Sequence, residues 1–336
     1  MPDYVRSDVK DRAREQWRGA CNVTLPSYTA DFSRLNEAGI RHDIRRAAEL
    51  GFWGTLVASE CGTTEAEYLR FLEVALEEAP AGFRIVSHLS FDTTDQVTRV
   101  ARRSYEMGAE AGLLGYPPSF VPDNPQQIAD WTRGVAGSSD LALIMFAVMT
   151  WGFKRLDPSG FPKSALEQIV DIDTAAALKF EIGGAATMTA YSDAVHSYGD
   201  RILVENPMEH QLPVQFRDYG VRWIGTSAYD SFGGRVPEIF KLLEAGDHAK
   251  AMEVFWSYQA GREAKGAFHA SFAGAGLIHR VGWKYLSWLN GFNGGLLRMP
   301  QMRLNPGQMK SLRAGLAASG FDLPGDDAEF YAGRVG

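Results

Sequence analysis

Eight short apolar runs recur along the chain with starts about 20 to 35 residues apart, and this spacing constrains the fold more than any other feature of the sequence. The runs are Ala20–Leu25, Gly54–Ala58, Arg84–Leu89, Gly112–Tyr116, Ala142–Val148, Ala177–Ile182, Arg201–Glu205 and Arg222–Ser227. Several are apolar throughout instead of alternating, as strands covered on both faces must be. Helical spacing fills the intervals: in Glu65–Glu78, Leu69, Leu72 and Leu76 form one stripe while Glu and Arg occupy the other face. Repeated strand–helix units predict a parallel sheet of the α/β class, either an open doubly wound sheet or a (β/α)8 TIM barrel. The glycine fingerprint of the open sheet, G-x-G-x-x-G, is absent after the first run, where Pro26-Ser27-Tyr28-Thr29 stands. Eight units therefore favour the barrel. From Val236 onward helix follows helix, with one expected over Asp247–Arg262. The expected organisation is a barrel over 1–235, including a short N-terminal segment, and a C-terminal helical extension over 236–336 packed on it.

Charge narrows the partners. The chain has 34 Lys and Arg against 41 Asp and Glu, a net charge of −7, so neither nucleic acid nor an anionic membrane is expected as a partner. The first nineteen residues are densely charged without an apolar core, which predicts no secretory leader. The longest apolar stretch, Leu141–Phe153, falls short of the roughly 18 residues that span a bilayer and reads as a buried strand followed by a loop. Cys21 and Cys61 cannot build a disulfide framework, and a reduced, cytoplasmic location is expected. No pair of histidines stands at H-x-H or H-E-x-x-H spacing, and no G-x-S-x-G occurs, so neither a metal nor a hydrolytic serine is expected, and no cofactor.

A barrel places its chemistry at the C-terminal ends of the strands. Residues expected there include Thr24, Glu60–Thr64, His88, Tyr116–Phe120, Met149–Trp151, Lys179 with Gly183, Glu205–Met208 and Ser227–Tyr229. Lys179 is the most informative, because it interrupts a run otherwise fit for burial, Ala175 to Ile182. A lysine taken out of water holds its proton less tightly, and its free amine can form a Schiff base with a ketone. The plainer alternative is an ion pair with a buried carboxylate such as Glu60, Glu181 or Glu205. Gly62-Thr63-Thr64 opens the helix beginning near Glu65, and its amides and hydroxyls suit an anion, although a simple helix cap gives the same pattern.

Several segments in order resemble the dihydrodipicolinate synthase/N-acetylneuraminate lyase family of class I pyruvate aldolases. Thr24-Leu25-Pro26 with Asp31 is similar to its T-P-F opening, and Gly62-Thr63-Thr64 with Glu67 to its G-T-T-G-E loop, the Glu displaced by one position. Gly115-Tyr116-Pro117-Pro118 resembles its fourth-strand ending, and Lys179 with Gly183 its K-x-x-x-G strand. Gly246-Asp247 with Ala249 and Ala251, then Arg298-Met299-Pro300, resemble its late helix and tail. The resemblance implies a (β/α)8 barrel, Lys179 as the imine-forming catalytic residue, Thr63 and Thr64 as a carboxylate clamp, and Gly183 passing close to a bound 2-keto acid. It also implies a homotetramer or homodimer.

The departures sharpen the question. Where the family carries a tyrosine acid/base in Y-N-x-P, this chain reads Phe146-Ala147-Val148-Met149; the family's P-Y-Y is Pro117-Pro118-Ser119 here. The arginine of the R-T-G loop has no counterpart in Thr150–Lys154. Tyr116, Ser119, His88, Tyr229 and Glu60 are candidates to supply the missing proton. Phe120, Phe146, Met149, Trp151 and Phe153 suggest an aromatic mouth, with Tyr116, Ser119, Phe146, Trp151 and Ser227 as substrate-binding candidates. An aldehyde with an aromatic or hydrophobic group, as in the hydratase-aldolase branch, is then the expected second substrate. A 2-keto acid dehydratase or deaminase using the same imine, and a keto-acid-binding barrel without turnover, remain open on the residues alone.

Overall fold

The computed structural model describes residues 2–273 and 277–335. Eight strands are present: β1 (Gly19–Thr24), β2 (Gly54–Val57), β3 (Arg84–Leu89), β4 (Ala111–Leu114), β5 (Leu143–Val148), β6 (Ala175–Glu181), β7 (Leu203–Glu205) and β8 (Trp223–Gly225). Each overlaps one of the eight apolar runs. The sheet order is β7-β6-β5-β4-β3-β2-β1-β8, and the pairs β1–β2, β3–β4, β4–β5, β5–β6 and β6–β7 are parallel. Chain-order neighbours with helices between them are the strand order of the (β/α)8 TIM barrel, here followed by a C-terminal helical region. Among the described residues no helix is long and apolar enough to cross a membrane.

Two compact units make up the chain, Met1–Arg18 with Arg84–Gly225 and Gly19–Phe83 with Thr226–Gly336. In the first, β3 to β8 alternate with helices whose boundaries follow from local chemistry. Thr93 and Gln96 form a reciprocal cap at the start of Thr94–Met107, and Gly108 ends that helix at φ 99°. Asn124 caps Pro125–Ala136, with proline at the first position where its missing N–H costs nothing. The N-terminal helix Val9–Gln16 is held by a buried polar knot. Glu110 accepts from Arg12 Nε at 3.0 Å and from Trp17 Nε1 at 3.0 Å, while the Tyr4 hydroxyl donates to the Glu110 carbonyl and accepts from the Ala142 amide.

In the second unit β1 and β2 pack with Glu37–Glu49, Glu65–Glu78 and the helices after residue 235. The helix expected over Asp247–Arg262 is two, His248–Ser257 and Gln259–Ala273. The chain turns between them at Tyr258, whose buried ring lies 4.8 Å from that of Phe232. Gln259–Ala273 and Pro306–Ala318 approach so closely that a Cβ on Gly315 would lie 2.4 Å from Ala264 Cβ. Helix Arg280–Leu289 is anchored through Lys284, which donates to the Pro26 carbonyl, and Asn293 reaches Ser27 and Asp43.

The Glu110 knot gives a direct test of these energetics. Arg12 keeps Asp3 at 2.8 Å when Glu110 is removed, so Glu110→Ala is expected to lower unfolding free energy by about 1–3 kcal/mol in urea denaturation, less than a fully stranded buried charge would cost. A loss below about 1 kcal/mol, typical of surface pairs, would show that Arg12 finds solvent instead.

Candidate active site

Strand β6 reads Ala-Ala-Ala-Leu-Lys-Phe-Glu, and alternation along a strand puts Lys179 and Glu181 on one face with Ala177 and Ala175. The small alanines leave room at one end of that face for the two long side chains. Lys179 is 4% exposed. Its register neighbours are Phe146 on β5 and Glu205 on β7. Lys179 Nζ lies 3.0 Å from Glu181 Oε1 and 4.1 Å from the centroid of the Phe146 ring. A buried ammonium is tolerated only with compensation, which here comes from a carboxylate and a π face.

Glu205 completes this cluster. It is 0% exposed, and neither of its carboxylate oxygens has a well-formed hydrogen bond among the described residues. Burial holds its carboxyl well above the usual range; the Lys179 charge and the Gly225 amide oppose the shift, and Glu181 adds to it. Lys179 and Glu181 thus form an ion pair beside a carboxyl whose burial favours its protonated form.

Aromatic side chains flank the lysine on the β5 side. Trp151 donates from Nε1 to the Phe146 carbonyl at 2.8 Å and meets the Phe146 ring edge-on at 5.7 Å. Tyr116 joins Trp151 to a second group containing Phe120, Trp131, Phe153 and Phe161. The Tyr116 hydroxyl is buried and bonded to Thr132 Oγ1 at 2.7 Å, so it points into that packing. Ser119 donates to the Asp92 carbonyl. Gly183 adopts φ 94°, and a Cβ there would stand 2.9 Å from Ala190 Cβ, so the turn after β6 requires glycine.

The Gly62-Thr63-Thr64 loop belongs to the second unit. Thr63 Oγ1 donates to the Ser59 carbonyl at 3.1 Å. Thr64 caps Glu65–Glu78 reciprocally with Glu67, and Glu67 is held by Arg298 at 2.8 Å. A Cβ on Gly62, at φ 80°, would lie 2.6 Å from Arg298 Cβ, which explains why the loop and the Arg298 segment match each other. Burial raises the neighbouring Cys61 thiol to about 12, so it stays protonated. Ser227 follows β8, and its carbonyl accepts from the Tyr229 amide.

Of the residues singled out from sequence, the first unit brings Lys179, Phe146 and Trp151 together. The hydroxyls of Tyr116, Ser119 and Thr64 are engaged locally, as stated above. The sequence left Lys179's partner open among Glu60, Glu181 and Glu205; the 3.0 Å contact selects Glu181, and Glu60 instead meets Arg280 at 2.8 Å. Buried Asp43, Asp230 and Lys284 were not singled out from the sequence.

No family model matches the chain. It is 22% identical over 156 residues to the 4-hydroxy-tetrahydrodipicolinate synthase of Methanopyrus kandleri, covering 45% of this chain and 52% of that protein. The chain thus matches about half the length of this curated relative. Solved structures align over much more. The N-acetylneuraminate lyase of Fusobacterium nucleatum complexed with pyruvate superposes with a TM-score of 0.70 at 17% identity, covering 89% of this chain and 96% of the lyase. The 4-hydroxy-tetrahydrodipicolinate synthase of Methylacidiphilum fumariolicum SolV gives 0.75 at 12% identity, with 91% and 96% covered. The dihydrodipicolinate synthase of Aquifex aeolicus gives 0.73 at 16%, with 92% and 100% covered. These likenesses establish the (β/α)8 fold; the sequence match is to a 4-hydroxy-tetrahydrodipicolinate synthase, and the structural matches are to dihydrodipicolinate synthases and N-acetylneuraminate lyases.

The state of Glu205 is measurable through stability. The folded chain keeps a proton on Glu205 that the unfolded chain releases above the ordinary value of 4.5. Its contribution is therefore intact below that pH and is lost as pH rises toward the folded value, at about 1.4 kcal/mol per pH unit. Glu205→Gln has no such proton, so its stability relative to the parent is expected to improve as pH rises above about 5 in urea titrations. A difference independent of pH would mean that Glu205 is ionised in the folded chain.

Proposed function

We propose that this protein is a Schiff-base-forming lyase acting on pyruvate or another 2-keto acid, with Lys179 as the nucleophile. The observation that carries the reading is the buried Lys179 amine in the middle of a parallel strand, ion-paired to Glu181 and covered by Phe146. Its support is the family resemblance around that strand, in which Lys179 and Gly183 fall at the K-x-x-x-G positions.

The amine attacks the C2 ketone, water leaves, and a protonated imine forms. That imine withdraws the electron pair of the adjacent C3–C4 bond, so an aldehyde is released, or added in the reverse direction. By resemblance, Thr63 and Thr64 with their backbone amides hold the keto acid's carboxylate, and Gly183 keeps the chain close to the bound acid. Phe146 and Trp151 present aromatic surface beside the amine, which supports an aldehyde with an aromatic or hydrophobic group, as in the hydratase-aldolase branch. Keto acid and aldehyde are the proposed partners, in a dimer or tetramer and without a metal or organic cofactor.

Borohydride reduction in the presence of pyruvate is expected to add one reduced pyruvate to Lys179, detected by peptide mass spectrometry, and Lys179→Met is expected to abolish both adduct and turnover. A parent protein that gives no adduct, under conditions that label a known class I aldolase, would overturn the reading. Product analysis then separates chemistries: pyruvate plus an aldehyde identifies carbon–carbon cleavage, and a dehydrated keto acid identifies the dehydratase.

A further inference from the structure

We propose that Glu181 is the proton-transfer residue of this site and takes over the work of the phenol that Phe146 lacks; the proposal rests on the Schiff-base reading above. Three observations lead to it. Glu181 Oε1 is 3.0 Å from the reacting nitrogen of Lys179, a direct hydrogen-bonding distance. Its side chain is 20% exposed at the end of β6, so a bound ketone and the leaving water can reach it, whereas Glu205 is wholly enclosed. The β5 position beside the lysine carries a phenyl ring with no proton to give, and the Tyr116 hydroxyl is committed to Thr132.

The proton path balances with this single carboxylate. Glu181 takes one proton from the Lys179 ammonium, and the freed lone pair bonds to C2 as the carbonyl π pair moves to oxygen. Glu181 returns the proton to that oxygen, giving a carbinolamine whose nitrogen still bears two hydrogens and a positive charge. A second cycle removes one hydrogen from nitrogen and delivers it to the hydroxyl, which leaves as water while the nitrogen lone pair forms the C=N bond. Ammonium plus ketone has become protonated imine plus water, and Glu181 ends as the carboxylate it began.

The test follows the rate of trappable imine formation on Lys179 with pyruvate, quenched with borohydride. Glu181→Gln is expected to label the same lysine at least about 10²-fold more slowly, within the range lost when a general acid–base is removed. Glu181→Ala is expected to be slow in the same way and to regain rate as formate is added, which a merely structural glutamate would not show. Glu181→Gln labelling at the parental rate would overturn the proposal. So would a comparable loss appearing in Glu205→Gln alone, or a slow Glu181→Ala that formate does not rescue. A parent that never labels would overturn the Schiff-base reading itself, and the role of Glu181 with it, which separates the two failures.

Discussion

The energetic constraint on which the site depends is the cost of keeping an ammonium inside a strand that is otherwise alanine, leucine and phenylalanine. Transfer of an isolated charge into such surroundings is prohibitive, so everything within reach of Lys179 must be arranged around it. The strand supplies Glu181 two residues on, where alternation returns the side chain to the same face. β5 supplies the Phe146 ring, and β7 supplies a carboxyl whose own burial favours its protonated form. Three adjacent parallel strands thus place side chains around one amine, and a slip of one residue would turn Lys179 to the opposite face.

A parallel economy operates in the second unit. There the Gly62 turn admits Arg298, Arg298 holds Glu67, and Glu67 closes the cap that Thr64 begins. The cap leaves room for the proposed anion-binding role of this loop, because it uses the Thr64 hydroxyl while a helix start keeps further amides available for a carboxylate. The displacement of Glu67 by one position from the family's pattern is likewise explained locally. At the third helical position it reaches both the Thr64 amide and the Arg298 guanidinium.

Much of the scaffold was legible in the sequence for a physical reason: strands of a parallel sheet are covered on both faces and must be written as continuous apolar runs. Lys179 was conspicuous for the same reason, as the one cation inside such a run. What stayed illegible is side-chain direction. Glu60, Glu181 and Glu205 all stand at strand ends and are equivalent as letters; only register and alternation bring Glu181 to the amine and send Glu60 to Arg280. Tyr116 likewise reads as a site phenol until the packing of Phe120, Trp131 and Phe161 turns its hydroxyl to Thr132. The break at Tyr258 was hidden because both flanking segments carry the same helical period.

The charge balance of the cluster also limits what it can bind. The Lys179–Glu181 pair is internally compensated and offers no surplus positive charge to an incoming keto acid. Imine formation preserves this balance, since a protonated imine carries the same charge as the ammonium it replaces. In the proposed path Glu181 faces a positive nitrogen in the resting ammonium, the carbinolamine and the protonated imine, and is itself neutral while it holds the transferred proton. A carboxylate in that position can shuttle protons without ever being left as an unpaired buried charge, whereas a phenol beside the same nitrogen would have to ionise to do so.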